Sequence, residues 1–200
     1  MPETPDPDVT RLYQTGAAAW LKARDTSLFE RPWLDAFRAA LPGPRVLDLG
    51  CGTGRPMAGH LIANGCALTG VDGAPAMIDH ASAAFPGHTW LTADMRALPP
   101  LVPFDGILAW HSFFHLPPDD QPAMFATFAR LTVPGGALMF TSGTERGTAT
   151  GSFDGRPLYH GSLDTAEYRD LLTGHGFTVL RHTASDPACR GATVWLARRG

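Results

Sequence analysis

The 200-residue chain is poor in cysteine. Cys51, Cys66 and Cys189 are scattered in a pattern that suits neither a disulfide framework nor a four-thiolate zinc site. A reducing compartment, the cytoplasm, is the expected location. No apolar run reaches the roughly 18 residues that a membrane-spanning helix needs. The opening MPETPDPDV has no basic-then-apolar signal pattern and is expected to fray. Charge of one sign is also lacking: 16 basic and 19 acidic residues leave a formal charge of -3, with no basic run. These absences point away from a membrane or nucleic-acid partner and toward a small molecule. Nothing in them sets the oligomeric state.

Turn-forming residues are plentiful, with 22 glycines and 18 prolines, but they show no collagen period and no internal repeat. With 44% hydrophobic residues, the chain can fill one sizeable core. One domain over 1–200 is therefore expected, with 9–41 as a helical cover and 143–162 as a substrate-side connection. Apolar spacing near three and four predicts helices from Val9 to Arg24 and from Leu28 to Leu41. Strands then alternate with helices: Arg45 to Leu49, Cys66 to Val71, Thr89 to Leu91, Phe104 to Trp110 and Ala137 to Thr141. The Phe104 to Trp110 stretch is a mainly apolar run of the kind a sheet covered on both faces requires. A last helix, Leu163 to Leu172, precedes two strands, Phe177 to Leu180 and Ala192 to Ala197, whose short link favours antiparallel pairing. The segment 143–162 shows few apolar periods and reads as a long connection.

Chemistry concentrates at VLDLGCGTG, Val46 to Gly54, where an apolar strand runs into glycines that permit a tight turn and close backbone approach to a ligand. Asp72 ends the next strand, in the place of a carboxylate that takes the hydroxyls of a ribose. Two nucleotide-like cofactors compete for such a site, a nicotinamide dinucleotide and S-adenosylmethionine. A dinucleotide loop carries a further glycine where this chain has Arg55, and a pyrophosphate gains nothing from the nearby Asp48. The spacing of Gly50, Gly52 and Gly54, with Cys51 between them, and the acid beside the loop favour the cationic cofactor.

Together VLDLGCGTG, GVDGAPAMI, TADMRALP, FDGILAWHSFFHL and TVPGGALMFT resemble the class I S-adenosylmethionine-dependent methyltransferases, closely over about 40–142. The resemblance implies an α/β, Rossmann-like three-layer fold with a seven-stranded, mostly parallel sheet and an antiparallel last strand. It implies that Gly50, Gly52 and Gly54 shape the methionine end of the pocket beside Asp48, and that Asp72 binds ribose. It further implies that Met77 packs against adenosine, that Asp94 accepts from the adenine amino group near Met95 and Arg96, and that Trp110 and His111 flank the reactive methyl. Gly73 departs from the pattern, because it leaves no bulky side chain after the ribose acid. Other groups must cover that surface.

His111 is the candidate general base, since a neutral imidazole accepts a proton near neutral pH. His111 and His115 stand four apart but lack an HExxH glutamate and a nearby third ligand, so no metal is expected. His115, Glu145, Arg146, Tyr159 and His160 are the candidate acceptor-binding groups, and Tyr13, Trp20 and Arg24 are candidates for a lid. The expected activity is methyl transfer to an oxygen, nitrogen or thiol of a small molecule by in-line substitution. The alternatives are a nicotinamide-dependent oxidoreductase and a regulatory protein that binds the cofactor without turnover.

Overall fold

The computed structural model of the protein describes residues 9–200. Most of the segment expected to fray, 1–8, lies outside the described residues. The chain begins with α1 (Val9–Ala23) and α2 (Arg31–Ala39), then enters β1 (Arg45–Leu49), α3 (Met57–Ala63), β2 (Ala67–Asp72), α4 (Pro75–Ala84), β3 (Thr89–Thr92) and β4 (Phe104–Ala109). A short 3-10 turn, Phe113–His115, precedes α5 (Gln121–Leu131) and β5 (Thr132–Ser142). β6 (Gly147–Phe153), β7 (Arg156–Ser162), α6 (Thr165–Gly174), β8 (Phe177–Asp186) and β9 (Ala192–Arg199) complete it.

Seven strands form one sheet in the order β3-β2-β1-β4-β5-β9-β8. β1 pairs in parallel with β2 and β4, and β9 runs antiparallel to both of its neighbours. β9 is therefore the one reversed strand of that sheet. Side chains alternate across a strand, and this alternation sorts the core into two layers. Val46, Leu108, Met139 and Leu196 face Trp33, Leu34 and Phe37 of α2 and Leu61 of α3. Leu47, Ile107, Phe140 and Trp195 face Phe125 and Phe128 of α5 and Tyr168 of α6. All six residues of β4 are buried, as expected for a strand covered on both faces.

Three segments differ from their sequence reading. The strand expected from Ala137 begins earlier, at Thr132, and takes in Pro134-Gly135-Gly136. β5 already bridges β4 at Thr132, opposite Phe104, before Ala137 pairs with Gly106, so the intervening residues bulge out of register. β8 runs on to Asp186, well past Leu180. The expected connection 143–162 contains an antiparallel hairpin, β6 paired with β7 from Gly147↔Ser162 to Phe153↔Arg156. Its two-residue turn is Asp154-Gly155, both at positive φ, 52° and 72°. Asp-Gly between two strands is a hairpin signal. Here the strands' weak apolar alternation obscured it.

Candidate functional site

Sheet order reverses between β1 and β4, and a ligand crevice in such sheets lies past the carboxyl ends of the strands. A cavity of about 480 Å3 opens there, lined by the residues that follow β1, β2, β3 and β4 in turn. The loop after β1 is held by its backbone: the Gly50 and Cys51 amides donate to the Val71 carbonyl at 2.7 and 3.0 Å. Gly50 sits at φ 72°, and a Cβ there would lie 2.1 Å from Ser112 Cβ. Only glycine meets both demands. From the other side Ser112 Oγ donates to the Leu49 carbonyl at 2.6 Å. Gly52 turns its amide onto Asp72 Oδ2 at 2.9 Å, and the Ala74 amide donates to Oδ1 at 2.9 Å.

Acids dominate this side of the cavity. Asp48 is 3% exposed, and its carboxyl has no hydrogen-bond partner among the described residues. Burial, helped by the charge of Asp72, pushes its pKa up to about 7. Burial also raises Asp72, against the pull of its two amide donors. The Cys51 thiol is driven up by burial and by both acids. Asp94 is different, because Arg96 grips both of its oxygens, at 2.6 Å for the shortest contact, and holds its pKa down. Arg96 also reaches Asp120 at 2.7 Å. A carboxylate offers about four lone-pair sites, so Asp94 keeps capacity for a further donor.

The facing wall carries imidazoles and aromatic rings. β4 ends at Ala109; Trp110 and His111 follow it, with His111 at φ 49° and its amide donating to Thr141 Oγ1 at 2.9 Å. A non-glycine residue in that region is uncommon and clusters at functional sites. Burial, then the positive charge of Arg24, pushes His111 down to about 4. Burial brings His115 to about 4 as well. His115 Nδ1 lies 2.9 Å from the Tyr159 carbonyl, which can only accept, so Nδ1 carries the proton. Nε2 then accepts from the Tyr13 hydroxyl at 3.3 Å. Tyr13 and Trp20 of α1 close against Phe153 of β6 with centroids 5.3 and 5.7 Å away. Gln121 is fully buried and donates to the carbonyls of Leu116 and Gly161, at 2.9 and 3.0 Å, tying the hairpin to the 3-10 segment.

The sequence-derived candidates fall into two groups. Asp48, Gly50, Cys51, Gly52, Asp72, Gly73 and Met77 line the cavity, as do Asp94, Met95, Arg96, Trp110, His111 and His115. Tyr13, Trp20 and Arg24 of the cover line it too. The uncovered surface at Gly73 is filled by Thr10, whose Oγ1 would stand 2.9 Å from a Cβ there. Gly54 lies outside the lining, because a Cβ there would meet Phe85 and Trp90 at 3.2 Å on the other side of the loop. Glu145, Arg146 and His160 line a separate space of about 400 Å3 beside the hairpin. Arg146 pairs with Glu167 and Asp119 and makes no ion pair with Glu145. Tyr159 reaches the first cavity only through the carbonyl that holds His115. Thr10, Arg55 and Ser112 line the cavity without having been singled out. Only long-range packing brings Thr10 there, whereas Ser112 directly follows the recognised Trp110-His111 pair.

Among the described residues no group of three or more His, Cys, Asp and Glu is arranged to hold a metal ion. None of the described helices is long and apolar enough to cross a membrane.

Residues 46–136 match the family model described as a methyltransferase domain. Along its whole length, the chain superposes on magnesium protoporphyrin IX methyltransferase from Synechocystis PCC 6803, solved with bound S-adenosylmethionine, with a TM-score of 0.73, 18% identity and 100% of both chains covered. The fold is that of a class I S-adenosylmethionine-dependent methyltransferase. Two curated methyltransferases match in sequence. One is malonyl-[acyl-carrier protein] O-methyltransferase of Serratia marcescens, 33% identical over 102 residues, 50% of this chain and 39% of that protein. The other is trans-aconitate 2-methyltransferase of Escherichia coli O1:K1, 37% identical over 94 residues, 46% of this chain and 36% of that protein. The chain thus matches well under two thirds of either relative's length. In this methyltransferase fold the glycine loop, Asp72 and Asp94 occupy the carboxyl edge of the sheet's first half, and His111 stands across the cavity from them.

Proposed function

We propose that the protein is an S-adenosylmethionine-dependent methyltransferase acting on an oxygen, nitrogen or thiol of a small molecule. The observation that carries this reading is Asp48. A carboxyl that is 3% exposed, without a hydrogen-bond partner among the described residues, and beside a loop only glycine can form is a site built for a cation. Burying such a group is costly unless it is paired. Bound there, S-adenosylmethionine supplies an electrophilic methyl group on a positively charged sulfur.

In this reading Asp48 takes the cationic methionine end and the glycine loop fits against it. Asp72, oriented by the Gly52 and Ala74 amides, accepts from the ribose hydroxyls. Asp94, clamped by Arg96, accepts from the adenine amino group, while Met77 and Met95 pack on the adenosine. Thr10, Tyr13 and Trp20 cover the cavity and exclude water. His111, neutral near pH 7, accepts the proton that a nucleophile surrenders as it attacks. An acceptor that arrives already ionised needs no base. The cover helices and the segment 143–162 belong to the same single domain and select the acceptor. A reducing, cytoplasmic location is supported by the free thiols Cys51, Cys66 and Cys189, and a partner other than nucleic acid by the formal charge of -3.

Isothermal titration tests the cofactor assignment. S-adenosylmethionine and S-adenosylhomocysteine are expected to bind and NAD is not; NAD binding without S-adenosylmethionine binding would overturn it. Transfer of a labelled methyl group to small-molecule pools then separates an enzyme from a protein that only retains the cofactor.

A further inference from the structure

The cavity is polarised: acids line one side, and on the other stands a cation to which the methyl-transfer reading gives no role. Three arginines line it: Arg24, Arg55 and Arg96. Arg96 is spent on Asp94 and Asp120, at 2.6 and 2.7 Å. Arg55 lies by the glycine loop, its guanidinium 5.7 Å over the Phe85 ring. Arg24 stands apart from both. It extends the last turn of α1, and its charge is felt at His111, across the cavity from the acids.

The way Arg24 is held is informative. Its Nη2 donates to Glu30 Oε1 at 2.6 Å and its Nη1 to the Asp25 carbonyl at 3.2 Å, with Phe29 beside it. Glu30 is fully buried, and its second oxygen, Oε2, has no hydrogen-bond partner among the described residues. A buried ion pair with an orphaned oxygen is a poor stabiliser, since apolar residues of the same volume often do better. Its use here is positional: Glu30 fixes one edge of a planar guanidinium. Arginine carries five N–H donors, so those not given to Glu30 and Asp25 are left for a ligand. Trp20, Trp110 and Tyr13 give the same space flat apolar walls.

Building on the methyl-transfer reading, we propose that Arg24 anchors a carboxylate or equivalent oxyanion carried by the methyl acceptor, placing the acceptor's nucleophile beside His111. The acceptor class is then a small, flat, unsaturated or aromatic acid. Guanidinium matches such an oxyanion through paired N–H bonds, which orient as well as attract. The cation also serves the base. Burial and, after it, the Arg24 charge keep His111 neutral and poorly basic; an acceptor anion bound to Arg24 offsets the second of these and so strengthens the imidazole when there is a proton to take.

The test is titration of the protein, loaded with S-adenosylhomocysteine, with benzoate and trans-cinnamate, each against its neutral carboxamide. Acids are expected to outbind their amides by about tenfold or more, the scale of a charge-assisted hydrogen bond. The paired variant Arg24→Met with Glu30→Met removes the ion pair without stranding a buried charge, so the fold and S-adenosylhomocysteine affinity persist while the acid preference disappears. Glu30→Gln keeps the cation and therefore the preference. Acid preference retained in the paired variant, or absent from the parent protein for both acids, whether because neither binds or because each binds no better than its amide, would overturn the proposal. Failure of S-adenosylhomocysteine itself to bind would instead overturn the methyl-transfer reading, and this proposal with it.

Discussion

The two sides of the cavity are built by opposite means. On the floor, where β1, β2 and β3 end, Asp72 and Asp94 are held by backbone amides: Asp72 takes Ala74 two residues away and Gly52 twenty away, and Asp94 takes the Arg96 amide. On the facing wall, groups are held by side chains from remote segments. Tyr13 meets His115 across 102 residues, and Arg156 reaches the Leu12 carbonyl across 144. Burial acts on both sides but with opposite sign, raising Asp48 to about 7 and lowering His111 and His115 to about 4. In each case low dielectric penalises the charged form. A floor fixed by backbone can serve one invariant cofactor, while a wall fixed by side chains can change with the acceptor.

That contrast can be broken most forcefully at the floor. Gly50→Ala combines a φ of 72° with a Cβ 2.1 Å from Ser112 Cβ. It is expected to cost about 3 kcal/mol or more in chemical denaturation. Asp72→Ala strands two amides and is expected to weaken S-adenosylmethionine binding by about a hundredfold in titration. On the wall, His111→Asn is expected to lower kcat by about a hundredfold or more while cofactor affinity stays constant. A full rate with an unchanged pH profile would exclude His111 as the base.

Titration of the two sides sharpens the comparison. Asp48 keeps its proton in the folded protein up to about pH 7 but loses it near 3.8 when unfolded. Between those values the folded state holds more protons, so this contribution to stability is lost as pH rises. His111 and His115 work the other way. Their folded values near 4 lie below the ordinary 6.5, so stability is lost as pH falls through that window. The two contributions oppose each other over about the same window, so denaturation midpoints are expected to rise less steeply with pH in His111→Asn and more steeply in Asp48→Asn. Cofactor binding is expected to tighten as pH rises through about 7 and to become flat in Asp48→Asn. The smallest effect is expected from Tyr13→Phe, which gives up one part-buried 3.3 Å hydrogen bond, worth about 1 kcal/mol or less.

Much of the floor was legible because its determinants are local. Val46 to Gly54 encodes a strand, a glycine turn and an acid in nine consecutive letters, and Asp72 follows at the end of the next strand. Gly54 shows the limit of such reading, because it shares the motif yet turns away to pack under Phe85 and Trp90. Glu145, Arg146 and His160 were polar residues in the right segment, but the hairpin carries them to a different space. Arg24 and Tyr13 were visible only as lid candidates, and Glu30 drew no notice, since no spacing rule links residue 24 to a cavity behind residue 111.

The alternation of strands and helices, the both-sides-buried β4, the glycine loop and the order of its acids follow from the chain alone, because hydrophobic period and turn chemistry act between near neighbours. The tertiary structure alone decided that His111 and His115 are neutral, that Asp48 has no hydrogen-bond partner among the described residues, and that Arg24 and Thr10 join the cavity. Those properties depend on desolvation and on contacts between segments far apart in sequence, and neither exists until the sheet, the cover helix and the hairpin have packed together.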